Sequence, residues 1–368
     1  MVLNDKKFWR DKRVFLTGHT GFKGSWLALW LERLGARVSG YARAPQSNPS
    51  LYAAAQVETS VSTSTEADIR DLETLAKAME QASPDIVFHL AAQSLVREGY
   101  VDPCETFSSN LMGTVHVLEA ARGLDSVKGI VIVTTDKCYE NREWVHPYRE
   151  TDPLGGSDPY SASKACAELA TSAYRRSFFS ASAGMARIAT ARAGNVVGGG
   201  DWAADRLIPD CIRAFEAGEP VVLRNPGAIR PWQHVLEPLA GYLRLAELLC
   251  GPDGSAYAET WNLGPDAGGE ADVHTTAMGI AAAWQDEAKV DCGQTDATRA
   301  ESNHLRLEST KARTILGWRS VWSFTETLDK TVAWYTQVRD GADARDVTLA
   351  QIEQFEADMA TVEDGGGR

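Results

Sequence analysis

The 368-residue chain has no apolar run long enough to span a bilayer, no paired cysteines and no surplus of positive charge. The first absence argues against a helical membrane protein, since one span needs about 20 predominantly apolar residues. The six cysteines, at 104, 138, 166, 211, 250 and 292, show no CxxC spacing. A disulfide framework is therefore not expected, and free thiols in a reducing compartment are. A formal charge of −13 speaks against a phosphate backbone or an anionic membrane as partner, because both reward clustered cations. It leaves room for a small anion in a locally basic pocket. No cluster of His, Cys, Asp and Glu has ligand spacing, so no metal is expected. The opening MVLNDKKFWRDKRVF lacks the apolar stretch of a secretion signal, which makes the cytoplasm the expected location.

What is there alternates. RVFLTG at 13–18, ARVSGYA at 36–42, DIVFHLAA at 85–92 and GIVIVTT from 129 form short β-branched runs. Between them stand helical patterns: SWLALWLERLG at 25–35, DLETLAKAME at 71–80 and NLMGTVHVLEAAR at 110–122. That rhythm predicts an α/β fold, a doubly wound parallel sheet with helices on both faces. Beyond residue 196 the rhythm breaks into GNVVGGGD and LRNPGAIRPWQH, read as a smaller interleaved substrate-binding domain. VLEPLAGYLRLAELL at 235–249 reads as a helix returning to the main domain. The expected division is 1–196 with 235–263 for the nucleotide-binding domain, 197–234 with 264–355 for the substrate-binding domain, and 356–368 as a tail. Eleven tryptophans and His89 are expected in packing roles.

The first chemical signal is TGHTGFKG, with Gly18, Gly21 and Gly24 between a strand and a helix. Glycines there permit a tight turn and bring backbone N–H groups against a diphosphate at the positive end of the helix. The context is that of a Rossmann-type dinucleotide site, with Phe22 inside the turn. The acid expected about 20 residues later for the ribose hydroxyls is missing. Arg43 stands near its place in GYARAP, where it either accepts a 2′-phosphate or ends a strand in solvent, so NAD and NADP both remain open on this residue alone.

The second signal is YSASK. Tyr160 and Lys164, four residues apart, share one face of a helix, where the ammonium could lower the pKa of the phenol. Thr135 lies 25 residues earlier, at the end of the GIVIV strand. A hydroxyl, a tyrosine and a lysine in this order suit oxidation of an alcohol: Thr135 binds it, Tyr160 takes its proton and a nicotinamide takes its hydride. Asp136 and Lys137, next to Thr135, have no part in that. A second acid/base pair is useful if the new ketone is used to expel a neighbouring group, since a 4-keto group acidifies C5–H and loss of the C6 hydroxyl can follow.

The Gly-x-x-Gly-x-x-Gly spacing and the Thr–Tyr–Lys set resemble the extended short-chain dehydrogenase/reductase superfamily. TTDKCYENREW, YRETDPLGGSDPYSASKACAEL, RAGNVVGGGDWAADRLIPD and RPWQHVLEPLAGYL together are similar to its CDP-glucose 4,6-dehydratase branch, over nearly the whole chain. Where dTDP-sugar relatives carry Thr-Asp-Glu, this chain has Thr135-Asp136-Lys137, typical of the CDP branch. The resemblance implies a CDP-glucose substrate, tightly held NAD, and a 4-keto-6-deoxy product destined for dideoxysugars of bacterial surface polysaccharide such as the O-antigen. It implies Asp136 as the acid and Lys137 as the C5 base or an enolate stabiliser. Asp68 and Ile69 would contact the adenine, Leu90, Ala91, Ala92 and Gln93 would line the cofactor, and Asn195, Arg206 and Arg230 would hold the sugar nucleotide. Relatives commonly have proline after that glutamine, where Ser94 stands here. The helices carrying NLMGTVHVLEAA and ASKACAELATSAY match dimer helices of the superfamily, so a homodimer or homotetramer is expected. A 4-epimerase, a dehydratase for another nucleotide hexose and a silent NAD-binding protein are the alternatives; the first has no use for Asp136 and Lys137, and the last has none for Thr135, Tyr160 and Lys164.

Overall fold

A strand that is apolar at every position must be buried on both faces. The computed structural model, which describes residues 6–179, 185–284, 288–293 and 304–365, shows how that is met here. Arg13–Thr17 (β1), Arg37–Ala42 (β2), Thr63–Glu66 (β3), Ile86–His89 (β4), Gly129–Val133 (β5) and Arg187–Ala193 (β6) belong to one sheet. Asn195–Val197 (β7), Val221–Leu223 (β8), Ile229–His234 (β9), Thr260–Leu263 (β10), Glu270–Asp272 (β11) and Val290–Cys292 (β12) follow. The main sheet has the order β10-β6-β5-β4-β1-β2-β3 and every pairing in it is parallel.

Period-two alternation sends successive side chains to opposite faces. In β5, Ile130 and Ile132 join an apolar cluster with Leu75, Met79 and Val117, whereas Val131 and Val133 join another with Trp26, Leu27 and Trp30. The helices Leu72–Ala82 (α2) and Gly113–Arg122 (α3) thus cover one face, with Phe22–Arg33 (α1) and Leu236–Cys250 (α5) on the other. Pro159–Phe178 (α4) packs beside α3. Nine of the eleven tryptophans are buried, as packing roles require; Trp144 and Trp202 are the partly exposed pair.

The remaining strands form two small sheets, β11-β9-β7 and β12-β8, past the carboxyl ends of the main one. Two differences from the sequence reading stand out. β6, RIATARA, buries Thr190 and Arg192, so its polar residues hid it from a search for apolar runs. Residues 356–365, expected in the tail, continue the helix Ala344–Gly365 (α6), which buries Ile352, Phe355 and Met359 and ties Glu356 to Trp30 and Arg33 of α1. Residues 366–368 of the expected tail lie outside the described residues. No helix among the described residues is long and apolar enough to cross a membrane, and no group of three or more His, Cys, Asp and Glu there could hold a metal ion.

Candidate active site

In an open parallel sheet, ligands bind beyond the carboxyl ends of the strands, where the strand order reverses. Here that point lies between β1 and β4, and a cavity of about 840 Å³ opens above it. Gly18 leaves β1 at φ +79°, and a Cβ there would stand 2.7 Å from the Ala91 nitrogen. A Cβ on Gly24 would meet the Gly18 carbonyl oxygen at 2.0 Å. The turn is therefore closed onto itself and tolerates no side chain at either position. Gly21 starts α1 without a side-chain cap, so the first N–H groups of the helix remain for a ligand. This cradle fits the diphosphate of a dinucleotide, with Gly18, Gly21, Phe22 and Gly24 on its wall.

At the adenosine end, Asp68 and Ile69 line the cavity. Asp68 accepts from the backbone and guanidinium of Arg70, which hold its carboxyl below the usual range, and it does not cap the next helix: Asp71 does that through Thr74. Arg43 follows β2 and faces Glu105 at 3.3 Å and Asp68 at 3.9 Å. Two carboxylates already neutralise it, so a 2′-phosphate would meet repulsion beside the attraction. That arrangement fits NAD better than NADP.

Leu90, Ala91 and Ala92 line the cavity after β4, as expected. Gln93 does not; it is buried behind them, its amide bonded to Leu95 and Thr106 and its backbone N–H to Asn110. Asn110 also donates to Ser163, which ties the wall to α4. His89 is a packing residue, buried between the hydroxyls of Thr17 and Thr114, and burial pushes its pKa down to about 3.

Thr135, Asp136 and Lys137, past the end of β5, separate in role. Thr135 caps the short turn Asp136–Cys138, accepting from the Lys137 N–H, and its hydroxyl donates to Asp136 Oδ1 at 3.0 Å. Lys137 lines the cavity and reaches Asp136 Oδ1 at 3.5 Å and Asn195 Oδ1 at 3.4 Å. Asp136, expected to face the substrate as an acid, is fully buried and does not line the cavity. The bond from Thr135 turns its carboxylate beneath Lys137, and its Oδ2 has no hydrogen-bond partner among the described residues.

Asp158 caps α4 and Pro159 opens it, which fixes Tyr160 in the first turn with Lys164 one turn on. Both line the cavity with Thr135. The expectation that Lys164 lowers the phenol pKa is not met. Burial pushes Tyr160 up to about 12, with the Thr135 hydroxyl and the Arg206 charge pulling it down and Asp136 pushing it further up. Lys164 instead donates to the Val133 carbonyl at 3.1 Å, and burial holds its own pKa down to about 8.

On the far wall stand Asn195, Arg206 and Arg230. Arg206 bonds Asp201 at 2.7 Å and Ser94 at 2.9 Å, so the serine that replaces the common proline has a use here. Burial alone would lower the Arg206 pKa, but the Asp201 carboxylate outweighs it and raises it. Arg230 donates to the Ile229 carbonyl at 2.9 Å from an almost fully buried position.

Sequence reasoning passed over the layer beneath. Glu168 and Arg192 form a buried ion pair at 2.9 Å. Glu168 accepts from Thr134 and Thr190, and Arg192 donates to the Tyr139 hydroxyl at 2.7 Å. The pair braces both ends of the segment that carries Thr135 to Lys137. A glutamate four residues past Lys164 was the available signal, but its partner lies on the strand that polar residues concealed. Lys23, on the cavity wall within the glycine turn itself, was also passed over.

The family model described as GDP-mannose 4,6 dehydratase matches residues 15–331. The chain is 48% identical over 357 residues to CDP-glucose 4,6-dehydratase of Salmonella typhimurium, covering 95% of this chain and 98% of the relative. A solved dTDP-glucose 4,6-dehydratase from Streptomyces venezuelae with NAD bound superposes with a TM-score of 0.74 at 24% identity, covering 89% of this chain and 98% of that one. A UDP-glucose 4-epimerase from Thermus thermophilus in complex with NAD gives 0.73 at 25%, covering 90% and 100%. A dehydratase and an epimerase share this architecture, so the fold does not choose between them.

Proposed function

The chain belongs to the GDP-mannose 4,6-dehydratase family and, within it, to the CDP-glucose 4,6-dehydratases; on that premise we propose that it converts CDP-glucose to CDP-4-keto-6-deoxyglucose with NAD. The observation that carries this reading is one cavity holding two sets of groups. Thr135, Tyr160 and Lys164 suit oxidation, and Lys137, anchored on Asn195 and Asp136, stands beside them.

Bound NAD would supply a hydride acceptor for C4 that later returns the hydride to C6. Tyr160 reacts as the phenolate, the form that the Thr135 hydroxyl and the Arg206 charge favour against burial, and so takes the proton of the C4 hydroxyl, which Thr135 orients. The ketone acidifies C5–H, whose proton passes to the Lys137 amine, while Asp136 beneath holds the lysine in place. The C6–O bond then breaks and its oxygen leaves as water, the proton it takes up being balanced by the one the C4 hydroxyl gave to Tyr160, and Lys137 gives a proton back to C5. Arg206 and Arg230 suit the substrate diphosphate, since a guanidinium fork can donate two bonds at once. An epimerase needs no group at C5, and the Lys137 position is what favours dehydration over it.

On the same premise we propose that the protein works in the cytoplasm and that its product feeds dideoxysugar and O-antigen assembly. We further propose a homodimer through α3 and α4. Leu169 is 59% exposed, and Met112 and Phe178 are 43% exposed nearby in the chain order of those helices. Light scattering tests the dimer. For the activity, purified protein is incubated with CDP-glucose in deuterated water. Loss of one water with deuterium at C5 supports the reading, whereas an unchanged mass with CDP-galactose formed would show an epimerase.

A further inference from the structure

A charge pair sealed inside a fold is a poor route to stability, because two apolar side chains of similar volume often do as well or better. Glu168 and Arg192 are both buried and meet through two arms of the guanidinium, Nε at 3.0 Å and Nη2 at 2.9 Å. Two further bonds of the pair reach the catalytic segment. The Thr134 hydroxyl donates to Glu168 Oε1, and Arg192 donates to the hydroxyl of Tyr139, on the cavity wall. Thr134 stands between two groups of the oxidation site: Val133, whose carbonyl accepts from Lys164, and Thr135. Its backbone N–H donates to the Ala191 carbonyl and its side chain to Glu168, so the residue is held at two points just where β5 has ended. Glu168 also lies one turn beyond Lys164 on α4, and its charge pulls the Lys164 pKa up while burial holds it down to about 8. Facing Lys164 from other elements are Cys138 of the turn, Lys23 of α1 and His89 of β4. Burial pushes the Cys138 thiol up and the His89 imidazole down, which leaves both uncharged near neutral pH.

We propose that Glu168 is a positioning residue of the oxidation step: through Thr134 it fixes the Val133 carbonyl that holds Lys164 and the Thr135 hydroxyl that meets the substrate, and its charge supports the Lys164 ammonium. This rests on the function proposed above. Glu168 does not line the cavity, so it acts through these neighbours and not on the sugar itself. Rotation at Thr134 would swing the Val133 carbonyl and the Thr135 hydroxyl together, and displacements of about 1 Å in such groups can cost about 100-fold in rate.

The test compares single bonds to the same carboxylate. Thr134→Val keeps the side chain's shape and the ion pair and removes the bond to Glu168; it should lose about 100-fold in kcat with the KM for CDP-glucose little altered. Single-turnover absorbance of the reduced cofactor should place that loss in hydride transfer from C4, with the NAD content and melting temperature of the purified variant matching wild type. Thr134→Ser restores the hydroxyl and should return to within about 10-fold of wild type. Thr190→Val removes an equally buried bond to Glu168 from the β6 side, away from the catalytic segment, and should also stay within about 10-fold. Glu168→Gln removes the charge, which disfavours the ammonium, so the break that Lys164 sets in the pH profile at about 8 should move down by about one unit. Thr134→Val should leave that break in place. Unchanged kcat in Thr134→Val, or an equal loss in Thr190→Val, would overturn the assignment and leave the pair a structural brace. An unmoved break in Glu168→Gln would overturn the role of its charge; should that variant fail to fold, the Thr134 and Thr190 variants still decide. Failure of the wild type to release water from CDP-glucose would strike the proposed function instead, so the two failures are distinguishable.

Discussion

The two walls of the cavity are built by different means. The cofactor wall is backbone: a glycine turn, the first turn of a helix and the small residues Ala91 and Ala92. The sugar wall is side chain: Lys137 on Asn195, and Arg206 on Asp201 and Ser94. A backbone wall tolerates almost no change where it touches itself but holds few groups that titrate. A side-chain wall tolerates repacking and carries the chemistry. Substitutions should therefore abolish binding on the first wall and grade the rate on the second.

The largest contrast is between two glycines. Gly24→Ala places a Cβ 2.0 Å from the Gly18 carbonyl and should leave the purified protein without NAD, whereas Gly227→Ala on the sugar side, with nothing within 4 Å of the new Cβ, should retain it. Nucleotide released on denaturation is the readout for both. Next, Tyr160→Phe should lower kcat by about 100- to 10,000-fold while CDP-glucose binding, measured by calorimetry, changes little. Lys137→Met separates the two halves of the reaction. Near-ultraviolet absorbance should show the reduced cofactor accumulating in a single turnover, while release of water slows by about 100-fold or more. Arg206→Lys gives up the fork that spans Asp201 and Ser94 and should raise KM by about 10-fold with kcat little altered.

The smallest effect is on stability. His89 is held down to about 3 against an ordinary 6.5. Between those values the unfolded chain binds the extra proton, so the contribution is complete above pH 6.5 and is lost as pH falls toward 3. His89→Gln should flatten that slope in denaturant midpoints measured across the range.

The contrast between the walls also explains what the sequence disclosed. Gly18, Gly21 and Gly24 were legible because a backbone wall is written in consecutive residues at fixed spacing. The α4 pair Tyr160 and Lys164 was legible through helical periodicity. Thr135 and Lys137 were legible because a buried strand seldom ends in such a run, but the same run gave no sign that Asp136 turns inward. Gln93 misled for a similar reason: its place after Ala92 suggests the wall, while its bonds to Leu95, Thr106 and Asn110 draw it behind. The brace of Glu168 and Arg192 depends on a contact between a helix and a strand 24 residues apart, which no local pattern records.

The central claim is that one bound cofactor takes a hydride from C4 and returns it to C6 of the same sugar. An equimolar mixture of CDP-glucose deuterated at C4 and undeuterated CDP-glucose carrying carbon-13 tests it directly, with the product resolved by mass and NMR. Deuterium should move to C6 and stay with its own carbon skeleton, in a product lighter by one water. Deuterium found on the carbon-13 skeleton, washed out into solvent, or still at C4 in a product of unchanged composition would contradict it.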